Sequence, residues 1–122
     1  MRKDQRLTKA TDFAAARRDG KSWSDNLLVL IARRNNLDVA RFGFSVGRRV
    51  GKAVVRNVVR RRVREAARLA PVRNGWDLVF VARRDAASAD FHQLRRSLTD
   101  LLRRSGMLTD DALGLVSLPS SD

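Results

Sequence analysis

The sequence contains no cysteine and only one histidine among its 122 residues. The absence of cysteine excludes disulfides, thiolate metal sites and a cysteine nucleophile. A single histidine, His92, is too few for a histidine-based zinc site or catalytic triad, so we expect no metal site and no catalytic residue in the chain itself. No apolar run approaches the roughly 18 residues needed to span a bilayer, and no signal peptide opens the chain. We therefore expect a cytoplasmic protein without a membrane partner.

Acidic residues are also scarce. The chain has 13 Asp and Glu against 26 Lys and Arg, a formal net charge of +13. A charge of this size repels the chain from itself and indicates a polyanionic partner. Residues 41–73 contain eleven basic side chains and one acid, Glu65, and thus hold +10 of the total. The charge is a local patch, which favours a nucleic-acid binder.

Hydrophobic patterning in the first half predicts a helix followed by a hairpin. Residues 8–18 are predicted to be helical, and the continuous apolar run 27–32 predicts a buried strand. Residues 42–46 alternate bulky side chains with glycine and serine, which predicts a strand with one nearly bare face. The turn residues Asn35-Asn36 lie between these two strands, so we expect them to pair as a hairpin.

The second half predicts one more strand and one more helix. Residues 76–82 form an apolar strand, and Ser88 is the expected cap of a helix that ends at Gly106. We expect residues 1–108 to form a single nucleic-acid-binding α/β domain. Residues 109–122, which contain acids and no base, are expected to be a flexible acidic tail.

Between Gly47 and Pro71 the sequence predicts a helix with two separate faces. At 100° per residue, one apolar group gathers on an arc of roughly 80° that suits packing on a sheet: Val55, Val59, Val63 and Ala66. The polar residues fall on another arc, about 140° wide: Arg56, Asn57, Arg60, Arg61, Arg64 and Arg68. Val58 and Arg62 lie between the two arcs.

The arginine arc predicts a phosphate-binding face. Like charges stacked at i, i+4 cost roughly 0.2–0.5 kcal/mol per pair, and an ordinary solvated helix would mix signs. The guanidinium fork matches phosphate oxygens in a bidentate manner. A membrane-surface helix would need bulkier apolar residues than the valine and alanine found here.

The loop before this helix has the glycine and lysine of a nucleotide-binding loop but not its spacing. A P-loop needs four residues between its glycines and a hydroxyl after its lysine. Three residues separate Gly47 from Gly51, and Ala53 follows Lys52. We therefore predict a basic, glycine-hinged loop whose Arg48 and Arg49 extend the anion-binding surface of the helix.

These motifs resemble the protein subunit of bacterial ribonuclease P. The resemblance is carried by Phe42-Gly-Phe-Ser-Val-Gly-Arg-Arg-Val-Gly-Lys-Ala-Val-Val-Arg-Asn, followed by Arg60-Arg61 and Arg64. Arg6-Leu7, Asp12-Phe13 and Val81-Ala82-Arg83-Arg84 agree at the flanks. The similarity covers residues 6–108.

The resemblance implies a fold and an activity. The implied fold is α+β, an α/β sandwich with a four-stranded, mostly antiparallel sheet packed by helices, ribosomal-protein-S5-domain-2-like, with a left-handed βαβ crossover. The implied function is the protein subunit of an endoribonuclease that removes 5′ leaders from precursor tRNA. The implied partners are the ribonuclease P RNA subunit and precursor tRNA, with no protein partner required. Phosphodiester chemistry is expected on the RNA subunit, with Mg²⁺ bound mainly by that RNA and the substrate.

The resemblance also implies two binding surfaces. The arginine arc of the basic helix would face the catalytic RNA. A cleft between the first helix and the sheet would take the leader, with Phe13 stacking on a base. The basic residues expected around this cleft are Arg17, Arg48, Arg49, Lys52, Arg83 and Arg84.

Two positions depart from the family pattern. Val58 stands where a basic or long side chain is usual, and Arg62 is a candidate to compensate for it. Arg17 stands where a second cleft aromatic is common, which implies a more electrostatic leader contact. A stand-alone basic RNA-binding or ribosome-associated module is the alternative that the residues leave open.

Overall fold

The computed structural model describes residues 1–109, which form one four-stranded sheet with three α-helices. In chain order the elements are α1 (Ala10–Asp19), β1 (Lys21–Ser24), β2 (Leu28–Arg34), β3 (Arg41–Val46), α2 (Ala53–Arg68), β4 (Trp76–Ala82) and α3 (Phe91–Arg104). Three short 3-10 helices lie at Lys3–Gln5, Arg48–Val50 and Arg84–Ser88. The α+β class and the mostly antiparallel sheet are confirmed.

The strand order is β1-β2-β4-β3, so the predicted hairpin between β2 and β3 is wrong. Strand β4 lies between them, antiparallel to β2 and parallel to β3. Leu78, Val79 and Phe80 of β4 are buried on both faces of the sheet. A strand that is apolar on both faces belongs at the centre of a sheet, which is why β4 separates the two strands. The parallel pair is joined through α2 as a βαβ crossover.

The two faces of the sheet are covered unequally. One face packs against α2 and α3 and forms the large core, with Leu28, Leu30 and Phe80 fully or almost fully buried. On the other face, α1 is the one α-helix among the described residues, and it packs over a small cluster built on Leu7, Ala16 and Val79. A single short helix leaves part of this second face open. One of the two candidate sites lies in this opening.

The helix ends differ in detail from the sequence prediction. The cap of α3 is Asp90, which accepts a hydrogen bond from the backbone N–H of Gln93 at 2.8 Å, while the Gln93 side chain accepts one from Asp90. Ser88 lies in the preceding 3-10 helix, so the predicted cap is wrong. Strand β1 was not predicted, because its four residues are mostly exposed and carry no apolar run. Most of the predicted tail, residues 110–122, lies outside the described residues.

Candidate nucleic-acid interface

Helix α2 presents the predicted arginines on the side opposite its packed face. Val59, Val63 and Ala66 are buried against the sheet and α3, as the helical spacing predicted. We call the polar side the α2 arginine face: Arg56, Asn57, Arg60, Arg61, Arg64 and Arg68. The buried valines fix the rotation of the helix, and so they fix the direction in which this face points.

The members of the α2 arginine face are not equivalent. Arg60 donates a hydrogen bond from Nη1 to Oδ1 of Asn57 at 2.9 Å. Arg68 is paired with Glu65 through two hydrogen bonds, and this pairing lowers the pKa of the Glu65 carboxyl and raises that of Arg68. Arg61 and Arg64 make no hydrogen bond or ion pair within residues 1–109. These two cations are the most available to an external anion.

Arg56 is half-buried at the boundary of this face. Its Nε is buried, and no hydrogen-bond acceptor reaches it from the described part of the chain. An unsatisfied buried donor costs roughly 1–3 kcal/mol.

Arg62 does not belong to the α2 arginine face. Its Nη1 donates a hydrogen bond to the backbone oxygen of Ala89 at 2.8 Å, on the segment that leads into α3. The idea that Arg62 compensates for Val58 is not supported by this geometry, because the guanidinium is held against protein backbone. Val58 is half-buried, away from the centre of the arginine face.

A groove of about 750 Å³ lies at the end of β3 and β4, on the sheet face that α1 covers only in part. We call it the sheet groove. Its cations come from three separate segments of the chain, and five of the predicted cleft residues line it: Arg17, Arg48, Arg49, Arg83 and Arg84. Lys52 is exposed just before α2 and does not line the groove.

The floor of the sheet groove is small and uncharged. Ser45 of β3 and Val81 of β4 form part of it, and Arg17 reaches across from α1 to Ser45, with 3.4 Å between Nη2 and Oγ. An adjoining hollow of about 310 Å³ shares Arg17 and Val81 and continues over Val29 and Ile31 of β2. The two hollows adjoin and form one channel on the open sheet face, with its basic residues gathered around the sheet groove.

Phe13 lies beside this channel and is partly packed into the protein. A Cβ built on Gly43 would fall 2.8 Å from the Phe13 ring, which shows that the ring rests directly on the bare side of β3. Only glycine at this position lets the aromatic ring come so close. The bare face predicted from the sequence is present, and at Gly43 it is occupied by Phe13. Neither hollow of the channel is lined by Phe13.

A buried ion pair anchors the covered end of the same face. Arg41 donates from Nε and Nη2 to the two carboxylate oxygens of Asp77, at 2.8 and 2.9 Å, and Asp77 is completely buried. Asn35 donates to the same carboxylate at 2.9 Å, and Asp12 of α1 lies 3.9 Å from Arg41. These contacts raise the pKa of Arg41, chiefly through its hydrogen bonds with Asp77.

Sequence reasoning missed this network. An aspartate at the second position of the apolar strand 76–82 was the available signal, because buried charges are normally paired. Its partners lie on other strands and loops, so only the folded chain identifies them.

Residues 1–109 contain no group of three or more His, Cys, Asp or Glu side chains arranged to hold a metal ion. The helices in this part of the chain are also too short or too polar to cross a membrane. His92 is exposed at the start of α3, with its ring centroid 5.6 Å from that of Phe91.

Comparison with known proteins agrees with this geometry. The family model described as Ribonuclease P matches residues 1–106. The ribonuclease P protein component of Clostridium novyi (strain NT) is 40% identical over 111 residues, covering 88% of this chain and 98% of that protein. The solved ribonuclease P protein of Staphylococcus aureus superposes with a TM-score of 0.78 at 27% identity, over 86% of this chain and 98% of that one. The one from Thermotoga maritima gives a TM-score of 0.72 at 34% identity, over 81% and 96%.

Proposed function

The chain belongs to the ribonuclease P protein family, and on this premise we propose that its two basic surfaces bind two different RNAs. The protein is a component of ribonuclease P, the endoribonuclease that matures the 5′ ends of tRNA, and its partner is the ribonuclease P RNA. In our proposal the α2 arginine face binds that RNA. The sheet groove takes the 5′ leader of precursor tRNA.

Two observations support the role of the α2 arginine face: it lies on a rigidly packed helix, and some of its arginines have no internal hydrogen bond or ion pair among the described residues. Its buried side is held by Val59 and Val63, so the arginines project from a fixed helix rather than from a loop. Arg61 and Arg64 are unpaired within the described residues and can bind phosphate oxygens without breaking an internal contact. Arg68 contributes less, since Glu65 already neutralises it.

The role of the sheet groove is supported by its shape and composition. Its arginines stand at the edges and its floor is formed by small uncharged residues, an arrangement that suits a single strand with phosphates at the sides. Phosphate contacts carry no sequence information, which fits leaders of variable sequence. Arg17 lies over the floor at Ser45, so the position of the usual second aromatic supplies charge here. With Arg17 at that position, Phe13 is the aromatic side chain proposed to stack on a leader base.

We further propose that Mg²⁺ is held mainly by the RNA subunit and the substrate. Residues 1–109 offer no carboxylate cluster that fits the ion, so the protein's own residues bind and orient RNA. Mg²⁺ held by the RNA would supply the activation of the phosphodiester bond. Because precursor tRNA is the substrate, we place this activity in the cytoplasm.

The observation that carries the proposal is the division of the positive charge. One set of arginines lies on a single helix, and the other is gathered from α1, the loop before α2 and the end of β4 around a groove. Two surfaces of different form suit a structured RNA and a single strand.

Reconstitution with the ribonuclease P RNA tests the proposal. At a Mg²⁺ concentration too low for the RNA alone, adding the chain should restore cleavage of precursor tRNA at the mature 5′ end. The double variant R48A/R49A should weaken binding of substrates with a leader and leave leaderless tRNA unaffected. Absence of stimulation by the wild-type chain would support a stand-alone RNA-binding module instead.

A further inference from the structure

A second groove, of about 760 Å³, lies between α3 and the turn that joins β1 to β2. It belongs neither to the α2 arginine face nor to the sheet groove, and we call it the α3 groove. The polar and basic residues that characterise its lining are Asn26, His92, Arg95, Arg96, Thr99 and Arg103. Four of them, His92, Arg96, Thr99 and Arg103, follow helical spacing along the outer side of α3.

The α3 groove begins where the sheet groove ends. Asn26, at the tip of the β1–β2 turn, lines both grooves. This turn lies at the same end of the sheet as the end of β4, because Leu28 pairs with Ala82. Arg83 holds the turn there: its backbone N–H donates to the Leu27 oxygen at 2.8 Å, and its Nη1 lies 3.3 Å from the Asp25 oxygen. A strand leaving the sheet groove past Arg83 needs only to cross Asn26 to enter the α3 groove.

The charge in the α3 groove is available to an anion. Arg95 and Arg96 are exposed and make no hydrogen bond or ion pair with other residues in the range 1–109. The two carboxylates of the groove already have partners. Asp25 accepts from the Ser97 hydroxyl and from two backbone N–H groups, and Asp100 lies 3.9 Å from Arg103. The unpaired charge that remains is positive.

We propose that the α3 groove binds the upstream part of the 5′ leader, after the leader has left the sheet groove. This inference rests on the proposed function, since it extends the path assigned to the leader. The strand passes around the end of the sheet over Asn26, and Arg95 and Arg96 bind its phosphates. Guanidinium contacts to phosphates are independent of sequence, so longer leaders gain affinity whatever their bases are.

Leader length separates this proposal from the proposed function itself. Holoenzyme is reconstituted with wild-type chain or with R95A/R96A, and its affinity is measured for two precursor tRNAs. Their leaders have about 5 and about 16 nucleotides, near the lower and upper ends of the roughly 4–16 nucleotides that single-strand binding folds cover. The charge-matched control is K3A/K9A, which removes two exposed cations that line neither groove. Assembly with the RNA subunit is measured for every variant.

R95A/R96A should bind the long-leader substrate roughly 2- to 30-fold more weakly, the range for two exposed ion pairs. Its affinity for the short-leader substrate, and K3A/K9A with both substrates, should match the wild type. Equal losses with both leaders would overturn the proposal and assign the arginines to the RNA subunit or the tRNA body. No loss with either leader would also overturn it. If the proposed function itself fails, the wild-type holoenzyme shows no leader-dependent affinity. This result differs from the two R95A/R96A outcomes above, because it is seen without any substitution.

Discussion

Arg41 and Asp77 form a two-bond ion pair across the parallel strands β3 and β4, with the carboxylate wholly buried and the guanidinium mostly so. The same Arg41 lies 3.9 Å from Asp12 near the start of α1, so the pair connects the sheet to the helix that carries Phe13 and Arg17. The edge of the sheet groove thus depends on an ion pair at the opposite end of the sheet face.

Removing the carboxylate should destabilise the protein strongly. D77A leaves Arg41 without its main partner, and breaking a buried pair in this way costs about 3–5 kcal/mol. The free energy of unfolding, measured by urea denaturation, checks this. D38A, which removes an exposed acid that makes no side-chain hydrogen bond or ion pair among residues 1–109, is the control and should change stability little. Similar stabilities for D77A and D38A would contradict the conclusion that the buried Arg41–Asp77 pair stabilises the fold.

Arg61 and Arg62 are neighbours with different surroundings, which makes them a matched pair. R61A should weaken assembly with the ribonuclease P RNA and reduce its salt dependence by about one phosphate contact. R62A should leave the salt dependence unchanged and should destabilise the fold by about 1–3 kcal/mol, because the Ala89 oxygen loses its donor. Binding isotherms at several salt concentrations, together with urea denaturation, measure both effects. The reverse pattern would place Arg62 on the RNA-binding side.

Phe13 should contribute to leader binding through its ring. F13A is expected to cost about 1–3 kcal/mol in affinity for leader-bearing substrate, the usual value of a stacked base. Leaderless tRNA should bind as it does to the wild type. Equal losses for both substrates would remove Phe13 from the leader site.

Gly43 offers an independent test of the position of Phe13. In G43A the new Cβ would lie 2.8 Å from the ring, so Phe13 must move although it is still present. The variant should lower leader affinity in the same direction as F13A while keeping its affinity for the RNA subunit. A wild-type leader affinity would show that the placement of the ring is unimportant.

Asp25 makes stability sensitive to acid. Burial opposes ionisation of this carboxyl, but hydrogen bonds from the Ser97 hydroxyl and from the backbone of Leu28 and Leu27 outweigh it and lower the pKa. A lowered folded-state pKa gives stability that is fully present above the ordinary value of about 3.8 and is lost as the pH falls through the folded value. The stability difference between wild type and D25N should therefore be largest near neutral pH and shrink below about pH 4. Urea midpoints across this range measure it, and a constant difference would contradict the prediction.

Local pattern predicted the helices well and the strand pairing poorly. The valine and arginine arcs of α2 were correct because helical periodicity is a property of nearby residues. The pairing of β2 with β3 was wrong because strand partners are chosen by burial of the whole sheet, and β4 is the strand that is apolar on both faces. The cap of α3 was misplaced by two residues because both Ser88 and Asp90 are good caps, and only Asp90 has Gln93 three residues later to complete the capping box.

By itself the sequence determined the sign of the partner and the family, because charge and short motifs are written directly in the chain. It also determined which side of α2 bears arginines. Tertiary structure decided which cations remain available: it turns Arg62 toward Ala89 and leaves Arg61 exposed. It also gathered the groove arginines from three segments. These outcomes depend on contacts between residues far apart in the chain, and they form only when the sheet orders its strands.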